Sequence, residues 1–412
     1  MREHVAPVPS RDRAAEDRAV VSPNAGEGSL TAFLRYFLYL GTVGFGGPIA
    51  LVGYMQRDLV DERRWISAED YKEGLALAQL APGPLAAQLA MYLGWVRARM
   101  LGATLVSLAF IAPSFVMVLA LSALYVRFGG LPWMRGVFYG VGAAVIAIIA
   151  RSAFRLTRLT AKRDVLLWSL VAVNATVTAW MQAEIVWVLL ASGVVVLAIR
   201  WGPMRWSSRR NALMLVPPWL LTGMHGVASL SLLGTILWYF ARAGSVVFGS
   251  GLAVVPFLYG GTVQQFHWLT ERQFLDAVAV SMITPGPVVI TVAFIGYLVA
   301  GPLGAVAAAI GVFVPVYLVV VLVAPYFKKL VGNPELRTFV DGVTAAATGA
   351  ILGAVIVLGR RALVDAPTIL IAAATLVLLV VAKRLPEPVL IIAAGIIGIA
   401  IHGVALRPTT YH

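Results

Sequence analysis

The chain has 412 residues, 60% of them hydrophobic and 12% charged, with a mean hydropathy of +0.87, which excludes a soluble globular protein. The absence of cysteine excludes a disulfide framework, a thiolate nucleophile and any Cys-based metal or iron–sulfur centre. The net charge of +13 does not mark a nucleic-acid binder: residues 1–29 hold four arginines and five acids, so the excess lies in the apolar part, where Lys and Arg mark cytoplasmic loops.

Residues 1–29 contain no apolar core of a cleavable signal peptide, and their composition predicts a disordered cytoplasmic tail. From residue 30 onward, apolar stretches of roughly 17 to 25 residues recur, each long enough to cross a hydrocarbon core of about 30 Å as a helix. The strict alternation of a membrane β-barrel is absent. The first stretches lie near 33–55, 74–95, 101–125, 136–155, 165–181 and 185–201. A linker over 206–232 leaves room for one further crossing, shortened or bent by Pro217 and Pro218.

The series then begins again. At a separation of 203 positions Gly41 falls on Gly244, Phe45-Gly46 on Phe248-Gly249, Trp65 on Trp268 and Pro82-Gly83-Pro84 on Pro285-Gly286-Pro287. At 202, Gly94 meets Gly296, Leu101-Gly102-Ala103 meets Leu303-Gly304-Ala305, and Pro113 meets Pro315. Two copies of one unit, 30–205 and 233–407, therefore cover nearly the whole chain. The expected fold is all-α, a polytopic membrane protein of about 12–13 transmembrane segments in two homologous repeats.

An odd crossing in the linker inverts the second copy, and Lys/Arg placement favours inversion. With the N-terminus cytoplasmic, Arg272, Lys328, Lys329, Arg337, Lys383 and Arg384 fall inside, against Arg360, Arg361 and Arg407 outside. The stretch 57–73, with four Lys/Arg and six acids, falls outside in this reading.

Four interruptions punctuate the apolar stretches: "GFGGP" at 44–48, "APGP" at 81–84, "FGSG" at 248–251 and "TPGP" at 284–287. A broken helix frees backbone N–H and C=O groups, which persist in a membrane only where protein, water or substrate satisfies them. Proline is favoured where a helix starts, so Pro48, Pro84 and Pro287 each open a half-helix, and such an N-terminus attracts anions. Brought together near the midplane, these ends form an oxyanion cradle from Phe45, Gly46, Gly47, Pro48, Pro82, Gly83, Pro84, Phe248, Gly249, Ser250, Gly251, Thr284, Pro285, Gly286 and Pro287. The competing reading is that such Gly/Pro motifs only kink helices or let them pack closely.

Gln79 and Gln88 flank the first PGP about one helical turn away and are candidate donors to an oxyanion, whereas Met282 and Thr291 stand at the matching positions of the second copy. Arg242, within an apolar run, is the candidate buried cation, its alternative being to snorkel to an interface. Lys72, Glu73 and Asp276 lie at the starts of the PGP helices; acids there either stabilise the helix N-terminus or couple protons. Enzyme signatures are missing: there is no P-loop ending and no nucleophile elbow, and the five histidines lack metal spacing. No catalytic residue, metal or cofactor is expected.

The segments "FGGP" at 45–48, Trp65, "LAQLAPGP" at 77–84, Gln88, Gly94, "FGSG" and "TPGP" together resemble the chromate ion transporter family, in its long, two-domain form, across nearly all of 30–407. The resemblance implies a multi-pass inner-membrane protein that exports chromate on an ion gradient, its two halves oppositely oriented. The family more often has glycine at the position of Ser250 and glutamine at that of Met282; these departures leave chromate and sulfate, both tetrahedral dianions, open as substrates. The expected function is a secondary transporter working by alternating access, with an anion channel on the same broken-helix site as the alternative. Expected partners are the oxyanion, the lipid bilayer and a coupling ion, a proton being the first candidate; a homodimer is left open.

Overall fold

The structure, a computed structural model, describes residues 29–45, 47–128, 132–181, 186–201, 230–246, 251–326, 334–382 and 385–405. The expected tail up to residue 28 and the linker from 206 to 229 lie outside the described residues. Among the described residues there are fourteen α-helices and no strand.

The first repeat opens with α1 (Leu30–Val43), started by Ser29, whose hydroxyl accepts from Ala32 N–H. After residues 44–46 comes α2 (Gly47–Met55), prolonged by a π-helical turn over Gln56–Glu62. The two arms run antiparallel. Phe33, near the start of α1, lies against Trp65 at 6.2 Å between ring centroids, and the Arg63 guanidinium covers the Tyr36 ring at 5.2 Å. A Cβ placed on Gly44, at the other end of α1, would lie 2.7 Å from Leu51 of α2. The apolar stretch 33–55 is therefore a hairpin that turns after Gly44.

The second stretch is built the same way. α3 (Ala68–Leu80) begins at Ser67, which caps Asp70 N–H, and α4 (Leu85–Phe128) follows the turn 81–84. Tyr92 O–H donates to Glu73 at 3.2 Å, and Gly74 packs flush on Leu89 and Tyr92, so the start of α3 meets the far end of the returning arm. α4 reverses once more at Ala98 and Arg99, whose backbone is non-helical. Gly94 and Gly102 then touch backbone to backbone, although a straight helix would hold them about 12 Å apart.

The rest of α4, residues 100–128, is a long apolar crossing, followed by α5 (Pro132–Ala161), α6 (Val165–Met181) and α7 (Val186–Trp201). The second repeat repeats the plan. α8 (Leu230–Val246) and α9 (Val254–Tyr259) form its first hairpin, with another π-helical turn at Gly260–Gln265. α10 (Glu271–Ile283) and the start of α11 (Thr291–Val323) form the second, and α11 reverses at Ala300 and Gly301. α12 (Pro334–Ala362), α13 (Ala366–Val381) and α14 (Glu387–Ala405) complete it. Among the described residues four helical stretches, Leu85–Phe128, Trp133–Ala161, Val288–Tyr326 and Pro334–Ala362, are long and apolar enough to cross a membrane.

The hairpins change two expectations about the loops. The stretch 57–73, read from the sequence as outside, lies on the face where α1 begins, because Trp65 and Arg63 pack on Phe33 and Tyr36, and Arg272, read as inside, lies beside Arg135 on the opposite face. An apolar run of this length looks like a crossing, yet each arm is held by its own return strand of helix rather than by the opposite face.

The repeats are inverted. Thr104 at the start of one crossing shares a 2.7 Å hydrogen bond with Tyr317 near the end of its counterpart, whereas its own repeat equivalent is Val306. Parallel equivalents would sit level, leaving these residues about 16 Å apart along the helices. Ile146 of α5 likewise faces Gly359, at the far end of α12. Both pairs are antiparallel, which requires a two-fold axis across the helices, lying in the membrane plane.

The short helices are exchanged between repeats: α6 and α7 pack on α12, and α13 and α14 pack on α5. Small residues permit this contact. Gly342 meets Gly193, Gly349 meets Val171, and Gly140 and Gly398 meet each other beside the Ala394 carbonyl. A Cβ on Gly140 would collide with that carbonyl, a backbone group with no rotamer to escape to, whereas one on Gly142 meets nothing within 4 Å. Gly140→Val is expected to lower stability by about 1–3 kcal/mol and Gly142→Ala to stay within about 0.5 kcal/mol of the parent, measured as monodisperse protein surviving heating in detergent.

Candidate functional site

Three of the four hairpin tips fall within the described residues: 44–45 with Gly47, 81–84 and 284–287. At the fourth only Gly251 is described; Gly46, Phe248, Gly249 and Ser250 lie outside the described residues.

The tips of the two repeats touch. Gly286 N–H donates to Gly44 C=O at 3.0 Å, a backbone bond from one repeat to the other. Gly286 has φ of +97°, and a side chain there would collide with Ser114 Oγ. Ser114 stands halfway along the 100–128 crossing and donates to Gly41 C=O at 3.2 Å. The mirrored contact is made by Gly83, φ +142°, where a Cβ would lie 3.0 Å from Val316, the repeat equivalent of Ser114. Gly251 packs on Val288 and Val289, next to the Gly286 tip. Tips and crossings therefore meet at mid-height.

The paired glycines Gly41 and Gly244 have a packing role: each lies against the backbone of its own crossing, at Phe110 and Val312 respectively. The prolines behave as helix openers. Pro84 C=O accepts from Gln88 N–H at 3.0 Å and Pro287 C=O from Ile290 N–H at 2.9 Å, so both stand at the position just before their helix, while Pro48 is the second residue of α2. The first-turn N–H groups that follow have no partner inside their own helices.

A hairpin tip also presents the C-terminal carbonyls of the incoming arm, whose negative end would repel an anion. These are largely taken up. Gly44 N–H bonds Leu40 C=O and Ala81 N–H bonds Leu77 C=O, each at 2.8 Å. Buried Thr284 turns its hydroxyl to Val280 C=O at 2.6 Å. Gln88, fully buried, donates its amide to Pro82 C=O at 2.7 Å and to Ala81 C=O at 3.4 Å. Its Oε1 is buried with no partner among the described residues. Gln88 is thus turned to bracing the tip, and its counterpart Thr291 caps Val288 C=O within its own turn.

The remaining sequence candidates separate. Gln79 is exposed, whereas Gln88 is buried. Pro285 and Pro287 are buried with Gly286, and Phe45, Gly47 and Pro48 are half-buried. Gly47 has φ of +72°, and an added Cβ there meets nothing within 4 Å, so backbone is open to approach at this tip. Arg242 is half-buried one turn before the fourth tip and makes no ion pair or hydrogen bond with the described residues. Sequence reasoning missed Ser114; its one signal was position, a hydroxyl beside Pro113 in an apolar run.

Inverted repeats whose interrupted helices meet at mid-height are the architecture of a membrane transport protein. The family model for chromate transporters matches residues 31–197 and again 234–399, and the chain belongs to that family. It is 58% identical to the chromate transport protein of Cupriavidus metallidurans, over 90% of this chain and 93% of that one. It is 56% identical to a "Probable chromate transport protein" of Synechococcus elongatus, over 90% and 95%. Identity to the chromate transport protein of Pseudomonas aeruginosa is 32%, over 95% and 96%. These relatives are named as transport proteins and not as enzymes. No solved structure matches the chain.

The brace yields a measurable contrast. Gln88→Leu strands the Pro82 carbonyl in the interior and is expected to cost about 1–3 kcal/mol, seen as a lower melting temperature. Thr291→Val and Gln79→Ala are each expected to cost less than about 1 kcal/mol.

Proposed function

We propose that this protein is a secondary transporter that exports chromate, or the related dianion sulfate, across the inner membrane by alternating access. The oxyanion is held at the hairpin tips, by backbone N–H groups that open α2, the second arm of 81–97 and its mirror after Pro287. The observation that carries this reading is the Gly286 N–H to Gly44 C=O bond, which joins tips of opposite repeats at the level of Ser114. Three features support it. The incoming carbonyls are capped, so the exposed partial charge is positive. The backbone at Gly47 is open to a ligand. Arg242 carries a charge that nothing among the described residues neutralises.

In this reading the units expected over 30–205 and 233–407 rock against each other about the tips. With the N-terminus cytoplasmic, the hairpin geometry puts Arg57, Arg63, Arg64 and Lys72 on the same face as the basic ends of α5 and α7, in keeping with the positive-inside rule.

The test is uptake of labelled chromate into inverted vesicles and into liposomes holding the purified chain. Saturable flux, counterflow and competition by sulfate are the expected results; unitary currents without saturation would mean a channel. Gly47→Val, which forces a side chain into left-handed backbone and into the open approach, is expected to reduce flux at least about tenfold, corresponding to roughly 1.4 kcal/mol, with membrane insertion retained.

A further inference from the structure

On the face opposite the start of α1, a cavity of about 250 Å³ lies where the two repeats meet. It is lined by Tyr125 from the end of α4, Arg135 and Phe138 from α5, and Arg272, Gln273 and Asp276 from α10. Asp276 is only 4% exposed. Its one hydrogen bond among the described residues comes from Tyr125 O–H at 2.7 Å, across the repeat boundary. Neither arginine forms an ion pair with it: Arg272 donates to the Arg135 carbonyl instead, and the nearby acid Glu271 is paired with Arg361. The repeat equivalent, Glu73, accepts from Tyr92 of its own hairpin.

A buried carboxylate with one neutral partner and no ion pair is costly when charged and is relieved by taking up a proton. Asp276 sits on the hairpin arm that leads to Gly286, about 10 Å along the helix before it ends at Ile283. We propose that Asp276, held by Tyr125 of the opposite repeat, is the proton-binding site that couples oxyanion movement to the proton gradient. The proposal rests on the transporter reading above. With Asp276 ionised, the charge-assisted bond from Tyr125 pins the second hairpin to the first repeat's crossing. When the carboxylate takes one proton from the cavity, its charge goes from −1 to 0, the bond weakens, and the α10 arm with its tip is released. With the N-terminus cytoplasmic, the cavity faces the side from which a proton gradient delivers protons.

The experiment uses the full chain in liposomes, with chromate counterflow and chromate flux driven by an imposed pH gradient measured side by side. Wild type is expected to show both. Asp276→Asn, a permanent stand-in for the neutral form, is expected to lose the stimulation by the pH gradient, leaving a ratio within about twofold of unity, while counterflow, which needs no net proton, remains measurable. Tyr125→Phe removes a donor to the ionised form, so the pH midpoint of flux is expected to move upward, a shift that a purely structural contact would not produce. Asp276→Asn with wild-type stimulation, or a Tyr125→Phe midpoint that does not move, overturns the proposal. If Asp276→Asn also loses counterflow, Asp276→Glu decides: recovery of pH-driven flux supports the coupling role and failure to recover overturns it. Wild type that exchanges chromate but ignores the pH gradient overturns the coupling and leaves the transporter reading standing. Liposomes that move no chromate at all overturn both.

Discussion

A peptide group at mid-depth in a bilayer has no water to turn to, and each N–H or C=O left without a partner costs several kcal/mol. The helices of this protein nonetheless stop at that depth in mirrored positions. The arrangement holds because the tips are satisfied by protein: Gly286 by Gly44, Pro82 by Gln88, Gly41 by Ser114, and the incoming arms by their own last N–H groups. Most of the groups satisfied in this way are acceptors. The first N–H groups of the outgoing helices have no partner within their own helices, and it is there that the proposed oxyanion site lies.

Inversion and exchange make the tips converge. Because the two-fold axis lies across the helices, each second hairpin is laid against the crossing of the other repeat, Gly286 on Ser114 and Gly83 on Val316. The exchange of α6 and α7 for α13 and α14 interlocks the repeats a second time, through glycine-lined contacts where backbones approach closely. The boundary between the repeats also carries the hydrogen bond from Tyr125 to Asp276.

The two copies are alike in backbone and unlike in chemistry. Gln88 braces one tip with a side-chain amide, while the equivalent tip is braced by a carbonyl from the opposite repeat and Thr291 serves only its own turn. Val316 stands where Ser114 would be, and Glu73 finds a tyrosine within its hairpin where Asp276 finds one across the boundary. A duplicated scaffold of this kind supplies the geometry twice and lets each half carry a different polar group to the middle.

Much of this was legible in the amino-acid order. The repeat, the helical character, the positions of the interruptions and the prolines that open helices follow from local rules: apolar length, glycine's left-handed freedom at Gly83 and Gly286, and proline's missing N–H. Inversion was legible too, although the Lys and Arg count that pointed to it placed 57–73 and Arg272 on the wrong faces. Whether an arm continues past its break or returns was not, since that depends on what it packs against: Tyr92 on Gly74, Trp65 on Phe33. Nor were the partners of Gln88's amide, of Gly286 or of Asp276, the last lying 151 positions from its tyrosine. Composition and local backbone preference act within a few residues and so can be read along the chain, whereas the pairing of buried polar groups is decided by distances that exist only once the two repeats have closed on each other.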